Sequence, residues 1–175
     1  MTFQFQTTYD QKTLTAMAKA LRKTVRRKRS RRMHVFGWLL VVLALFVFLA
    51  TFFLDRTAVD SHTVLTLLIG LAVLITMIKE DALNGWIAGK RVLADSHEAM
   101  TTFTEDAYTT VTKAAACEWR YDQIQVICDT GEYVIFILDK IHGQAYDKRR
   151  FSGGSIEEFY RFIEEKTGKP VAYIK

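Results

Sequence analysis

The chain has 175 residues, half of them hydrophobic and a quarter charged, with a net charge of +5. The basic excess lies in residues 1–98, which hold fourteen Lys and Arg against seven Asp and Glu, whereas residues 99–175 hold ten against twelve. Because this excess flanks long apolar runs, we attribute it to membrane topology and expect no nucleic-acid partner.

The chain begins with a predicted strand and a predicted amphipathic helix. Phe3 and Phe5 alternate with glutamines, a pattern typical of a short strand that must join a sheet elsewhere. Asp10 is a suitable N-cap, and apolar residues follow it at helical spacing: Leu14, Met17, Ala18, Leu21 and Val25. We therefore expect the helix to pack against a neighbouring element, and Phe3 and Phe5 to pack on the sheet of a later domain.

Six basic residues within seven positions precede the first apolar run. They are Arg26, Arg27, Lys28, Arg29, Arg31 and Arg32. Residues 35–54 then contain no charge, and twenty helical residues span about 30 Å, the thickness of the hydrocarbon core of a bilayer. The basic side of such a span stays in the cytoplasm. The run is longer and starts later than the apolar core of a cleaved signal peptide, so we predict a retained transmembrane helix.

A second apolar run, residues 63–78, follows a short connection. This spacing predicts an antiparallel transmembrane hairpin, with spans at about 35–54 and 63–78 and both termini in the cytoplasm. A helix is expected to continue over residues 79–94. We therefore divide the chain into an N-terminal strand and basic helix (1–33), a hairpin with a cytoplasmic helical extension (34–95) and a cytoplasmic domain (96–175).

The cytoplasmic domain shows the pattern of short antiparallel strands followed by one helix. Aromatic and β-branched residues predict strands at 100–103, 108–112, 115–119, 123–128 and 132–138, with further short strands near 144–146 and 149–151. Ser155 and Glu158 form a capping box that begins the last helix, and Gly168 ends it. These elements predict an α+β membrane protein whose sheet is covered by a C-terminal helix.

Three stretches of this domain resemble the YcxB-like family of bacterial two-span membrane proteins. They are residues 103–106 (FTED), Trp119 with residues 121–124, and residues 147–151 (DKRRF) before the terminal helix. The resemblance implies a PH-like domain, which is a strongly bent antiparallel sheet capped by a C-terminal helix, on the cytoplasmic side of the bacterial inner membrane. It supplies no catalytic residue. Trp119 and Phe151 are expected in the core.

No pattern in the sequence indicates catalysis. The four histidines are scattered without metal-ligand spacing, and there is no phosphate-binding loop, dinucleotide fingerprint or nucleophile elbow. Cys117 and Cys128 fall in neighbouring predicted strands, so a disulfide is geometrically conceivable, but buried free thiols are expected in the cytoplasm. We expect no enzymatic activity, no cofactor, no metal and no small-molecule substrate.

Two basic clusters are candidate contacts for anionic lipid head groups. One is the cluster before the first span, Arg26, Arg27, Lys28, Arg29, Arg31 and Arg32; the other is Lys148, Arg149 and Arg150, beside the N-terminus of the last helix. The alternative is that the first cluster only orients the span and that the second is a solvated strand end.

Three functions are compatible with these features. The first is a non-enzymatic, membrane-anchored interaction or regulatory module whose domain binds a protein partner or another copy of the chain. The second is a regulator that responds to anionic lipid. The third is a small transport or channel subunit, whose pore would be lined by span threonines: Thr51, Thr63, Thr66 and Thr76.

Overall fold

A computed structural model describes residues 2–54, 60–92 and 94–174 of the chain. The protein is α+β, with five α-helices and two sheets in this part of the chain. The helices are α1 (Gln11–Lys23), α2 (Arg27–Leu54), α3 (Ser61–Ile78), α4 (Glu80–Gly89) and α5 (Ile156–Thr167).

The strands form two bent, largely antiparallel sheets. Sheet 1 contains β1 (Phe3–Thr8), β2 (Glu98–Phe103), β3 (Tyr108–Thr112), β4 (Ala116–Trp119) and β8 (Phe151–Ser152), in the order β4-β3-β2-β1-β8. Sheet 2 contains β5 (Val126–Asp129), β6 (Tyr133–Ile137), β7 (Gly143–Asp147) and β9 (Val171–Tyr173), in the order β7-β6-β5-β9.

Strand β1 lies inside sheet 1, although four helices separate it from β2 in the chain. It pairs antiparallel with β2 from Phe3 opposite Phe103 to Thr8 opposite Glu98, and with β8 on its other side. Phe3 and Phe5 are buried, whereas the intervening glutamines are exposed. The strand predicted from this alternation, and its packing on the later sheet, are confirmed. The helices α1 to α4 therefore form one long insertion between β1 and β2.

An aromatic core fills the space between the two sheets and α5. Phe5 contacts Phe159 of α5 with ring centroids 4.9 Å apart, and Phe103 contacts Phe136 of sheet 2 at 5.8 Å. Ser155 and Glu158 form the predicted capping box at the start of α5, and Gly168 ends this helix with a φ of 66°. A left-handed residue at this position favours glycine, which has no Cβ to clash.

Helix α1 covers the outer face of sheet 2. Ala20 and Leu21 belong to a second buried cluster with Ile135, Ile137 and Ala145. This explains why β6 is buried at every position: alternate side chains point either into the aromatic core or against α1. Asp10 caps α1 as predicted, accepting the Thr13 N–H at 2.8 Å.

Helices α2 and α3 pair with each other, and each is long and apolar enough to cross a membrane. Small residues allow their close approach, because a Cβ added to Gly70 would lie 2.8 Å from the Cβ of Ala44. Most of their large apolar side chains are exposed in the chain alone. The connection was expected at residues 55–62; residues 55–59 lie outside the described residues, and α3 already begins at Ser61.

Several details differ from the sequence predictions. Strand β9 was not predicted and pairs in parallel with β5, and the strand predicted from residue 123 begins at Val126 after a short 3-10 turn. The helix expected over 79–94 ends at Gly89. Cys117 and Cys128 lie in different sheets and both are free, so the prediction of neighbouring strands was wrong. Cys128 is buried as expected, but the expectation of a buried Cys117 was wrong, because this residue lies exposed on the edge strand β4. Trp119 and Phe151 are partly buried beside the core.

Candidate functional site at the helix junction

The helix junction is the region where α1 ends and where α2 and α4 begin. Arg26 lies in the turn between α1 and α2, and the other five residues of the first basic cluster occupy the first turns of α2. Those five side chains, Arg27, Lys28, Arg29, Arg31 and Arg32, are exposed and form no ion pair with another described residue. Cations at a helix N-terminus oppose the helix dipole, so helix stability does not explain their position.

Two acidic residues at the start of α4 bind the ends of α1 and α2. Asp81 accepts two hydrogen bonds from the Arg22 guanidinium, at 2.6 and 2.7 Å. Glu80 lies 2.9 Å from His34 Nε2 and accepts a 3.3 Å hydrogen bond from the Ser30 hydroxyl. The hydrogen bond to Asp81 raises the pKa of Arg22. The three helices are thus joined at the point where the uncharged part of α2 begins.

Helices α1 and α4 also make a close backbone contact. A Cβ added to Gly85 would lie 2.8 Å from the backbone nitrogen of Thr15, and Gly89 lies against Leu14. The Gln11 side chain donates to the Ala82 carbonyl at 3.0 Å. Because α1 is also packed on sheet 2, these contacts fix the apolar hairpin to the sheets.

The second basic cluster is largely paired with buried carboxylates. Lys148 Nζ lies 2.7 and 2.8 Å from the two carboxylate oxygens of Asp129. Arg149 binds Asp147 through two guanidinium hydrogen bonds, at 3.0 and 2.7 Å. Arg150 donates to the Thr8 hydroxyl at 3.3 Å. The charges of Lys148 and Arg149 are therefore compensated by Asp129 and Asp147, in contrast to the charges of the five exposed cations of α2.

Asp129 is 7% exposed and accepts hydrogen bonds from three groups. Besides Lys148, the Tyr160 hydroxyl and the Gly131 N–H each donate to it at 2.7 Å. Burial disfavours the ionised carboxylate, but these hydrogen bonds outweigh burial and the pKa of Asp129 is lowered. A carboxyl group whose pKa is lower in the folded than in the unfolded state stabilises the fold at pH values above its unfolded pKa, which is near 3.8 for Asp129. This stabilisation is lost as the pH falls through the pKa of the folded state.

We therefore expect Asp129→Asn to lower the free energy of unfolding by about 2 kcal/mol at pH 7, because hydrogen bonds to a charged group are lost and Lys148 loses its partner. The difference in free energy of unfolding between the wild type and the variant should decrease as the pH approaches 3. Urea unfolding in detergent, followed by near-UV circular dichroism, measures both values. Asp122→Asn is the matched control, since the ion partner of Asp122 in the described part of the chain is the exposed Arg120. A deficit equal at both pH values would contradict the prediction.

The outer face of sheet 1 carries an exposed apolar row. Met100 and Val111 lie opposite each other on β2 and β3 and are 50% and 49% exposed. Val111 lies opposite Ala116 of β4, an exposed residue on an edge strand. No described strand pairs with the outer side of β4. The indole N–H of Trp119, also in β4, is buried and has no hydrogen-bond partner among the described residues.

Other candidate groups are accounted for by local structure. The hydroxyls of Thr51, Thr66 and Thr76 donate to carbonyls of their own helices, and Thr63 bonds to the capping residue Asp60. Burial raises the pKa of the Cys128 thiol to about 12. In the described ranges, no three His, Cys, Asp or Glu side chains lie close enough together to hold a metal ion.

Arg22, Glu80 and Asp81 of the helix junction were not among the residues predicted from the sequence. A signal was present, because Glu80 and Asp81 are the first acids after the second apolar run. Nothing local indicated that Arg22, about sixty positions earlier, would be their partner.

Comparison with known proteins gives no match: no protein-family model, no curated protein and no solved structure is significantly similar to this chain.

Proposed function

We propose that the chain is a non-enzymatic interaction module anchored in the bacterial inner membrane. Helices α2 and α3 span the bilayer, both termini lie in the cytoplasm, and the cytoplasmic PH-like domain binds a protein partner or another copy of the chain. Support for the PH-like assignment comes from the topology: two bent sheets surround one core and α5 packs against it.

The firm attachment of the domain to the hairpin supports a role in which the domain holds one binding surface in a fixed orientation toward a partner. Two chain segments enter and leave the domain, through α1 and α4, and both are fixed by the Arg22–Asp81 pair and the Gly85–Thr15 contact. A flexible linker would let the domain rotate freely above the membrane. Here the domain has a set orientation, so a partner would meet one defined face.

The observation that carries the proposal is the open edge and apolar face of sheet 1. Met100, Val111 and Ala116 form one exposed row that ends at β4, whose outer backbone groups have no strand partner among the described residues. An exposed edge strand can accept a strand from another protein, and the side chains beside it provide specificity. The outer face of sheet 2 is instead covered by α1.

A photoreactive residue at Ala116 tests this proposal in native membranes. We expect one discrete crosslinked product, whose mass distinguishes a second copy of the chain from a different protein. Met100→Glu should abolish the product, because it places a charge in the apolar row. Gln4→Glu is the matched control, since it adds the same charge to an exposed position of the same sheet. A strictly monomeric chain without a crosslink would refute the proposal.

A regulator that responds to anionic lipid is the second candidate. It is favoured by the five exposed cations at the start of α2, whose charge opposes the helix dipole and would be compensated by anionic head groups. Each basic residue near an anionic membrane surface gains about 1 kcal/mol.

A further inference from the structure

One loop of sheet 2 lies at the same end of the domain as the helix junction. Helix α1 runs alongside β6 in the same direction: Lys12 pairs with Glu132 just before β6, and the Thr13 hydroxyl donates to the Tyr133 hydroxyl at 3.3 Å. Beyond the other end of α1, Arg26 Nε donates to the Lys140 carbonyl at 2.5 Å. The loop of residues 138–142, between β6 and β7, is therefore adjacent to the start of α2.

The contacts of the helix junction also indicate where this loop lies along the axis of α2, relative to the uncharged part of that helix. Arg22 near the end of α1 binds Asp81, and the neighbouring Glu80 contacts His34, the last ionisable residue before the uncharged run. Arg26 precedes that run by nine residues, about 13 Å along a helix. If α2 spans a bilayer, the loop thus lies near the head groups rather than the hydrocarbon core.

The loop presents an isoleucine in a fixed conformation. The Asp139 carboxylate accepts the backbone N–H groups of Ile141 and His142 at 2.6 and 2.7 Å, and lies 2.6 Å from His142 Nδ1. The hydrogen bond to His142, together with the backbone bonds, lowers the pKa of Asp139 to about 2. Ile141 is nevertheless 67% exposed. A loop ordered by its own hydrogen bonds that exposes a large apolar side chain is suited to contact another surface.

We propose that this loop is a second membrane contact, in which Ile141 and Lys140 enter the head-group layer of the anionic leaflet beside the basic cluster of α2. The inference rests on the proposed insertion of α2. Charge identifies the surface, because Lys140 and the five exposed cations of α2 outnumber Asp139, the one carboxylate of the loop, which is hydrogen-bonded to His142. An anionic lipid surface matches this combination of cations and one shallow apolar side chain.

The test is fluorescence of the full chain reconstituted in vesicles. In a Cys117→Ser background, Ile141→Cys carries an environment-sensitive nitrobenzoxadiazole label, while the buried Cys128 stays unlabelled. We expect the emission of the label at Ile141→Cys to be blue-shifted in vesicles that contain phosphatidylglycerol. Lipids with a spin label on the head group should quench this label several-fold more strongly than the same label at Asp122→Cys. Asp122 is exposed and therefore serves as the matched water-facing position. The same label at Leu43→Cys reports whether α2 is inserted.

The outcomes separate this inference from the proposed anchoring. A label at Leu43→Cys in an apolar environment with a water-like label at Ile141→Cys overturns the loop contact alone. Water-like emission at both positions overturns the membrane anchoring as well. If the emission at Ile141→Cys is blue-shifted but is not quenched by spin-labelled lipids, protein covers the loop. An equal response in purely zwitterionic vesicles excludes anionic head groups as the recognised surface. Each of these two results refutes the proposal.

Discussion

Phe5→Ala is expected to lower the free energy of unfolding of the sheet domain by about 3 to 5 kcal/mol, the range for removing a buried phenylalanine side chain. Phe5 is 1% exposed, and aromatic rings from three other elements lie within 5.5 Å of its ring. The ring centroids of Phe151, Phe159 and Tyr146 lie at 4.6, 4.9 and 5.5 Å. The cavity left by alanine would therefore lie where β8, α5 and sheet 2 meet β1.

The single buried cysteine provides a direct measurement of this effect. Cys128 is inaccessible in the folded chain, so its rate of reaction with a maleimide in increasing urea follows unfolding once Cys117 has been changed to serine. Gln6→Ala is the matched control, because Gln6 lies on the same strand and is exposed. Phe5→Leu should give an intermediate loss and remains measurable if the alanine variant fails to fold. Equal unfolding curves for Phe5→Ala and Gln6→Ala would contradict the burial of β1.

Features set by neighbouring residues were predictable from the sequence. The alternation of Phe3 and Phe5 specifies one buried face of a strand, and the capping box of Ser155 and Glu158 specifies where α5 begins. The two apolar runs are helical as expected. In each case the physical cause, side-chain periodicity or a local hydrogen bond, acts within a few residues, so the pattern alone contains it.

Features set by distant partners were not predictable in the same way. Strand β9 has only three residues and follows Pro170, so its sequence shows no strand pattern. Its pairing with β5 depends on the position in which α5 leaves the chain. The contact between Arg26 and the Lys140 carbonyl joins residues 114 positions apart. Neither has a local signal, because the backbone of the whole domain brings the partners together.

The two basic clusters illustrate the same limit for candidate sites. In the sequence, residues 148–150 look like the cluster that precedes α2. In the fold, Lys148 and Arg149 meet the carboxylates of Asp129 and Asp147, whereas the cations at the start of α2 remain exposed. A sequence gives the number of charges but not their compensation, which depends on tertiary contacts. The lipid hypothesis therefore depends more on the first cluster, and the contribution of residues 148–150 stays a prediction.

Gly85→Ala is expected to loosen the attachment of α4 to α1. In an exposed helix this substitution stabilises by about 1 kcal/mol, because alanine has the higher helix propensity. At Gly85 the new Cβ would instead lie 2.8 to 2.9 Å from backbone atoms of Thr15, which cannot move by a change of rotamer. Overpacking of this kind costs about 1 to 3 kcal/mol, so after the gain in helix propensity we expect a net destabilisation of up to about 2 kcal/mol.

Gly89→Ala is the matched control for this effect. Its added Cβ would lie 3.3 Å from Leu14 Cδ1, the far end of a flexible side chain, so the neighbour can adjust. The native-state labelling rate of Cys128 distinguishes the two, since this thiol is buried in the cluster that includes Ala20 and Leu21 of α1. We expect faster labelling for Gly85→Ala and a wild-type or slower rate for Gly89→Ala. Equal rates in the two variants would show that the backbone contact between Gly85 and Thr15 does not affect the packing of α1 on sheet 2, and that other contacts, such as the Arg22–Asp81 pair, fix the hairpin to the domain.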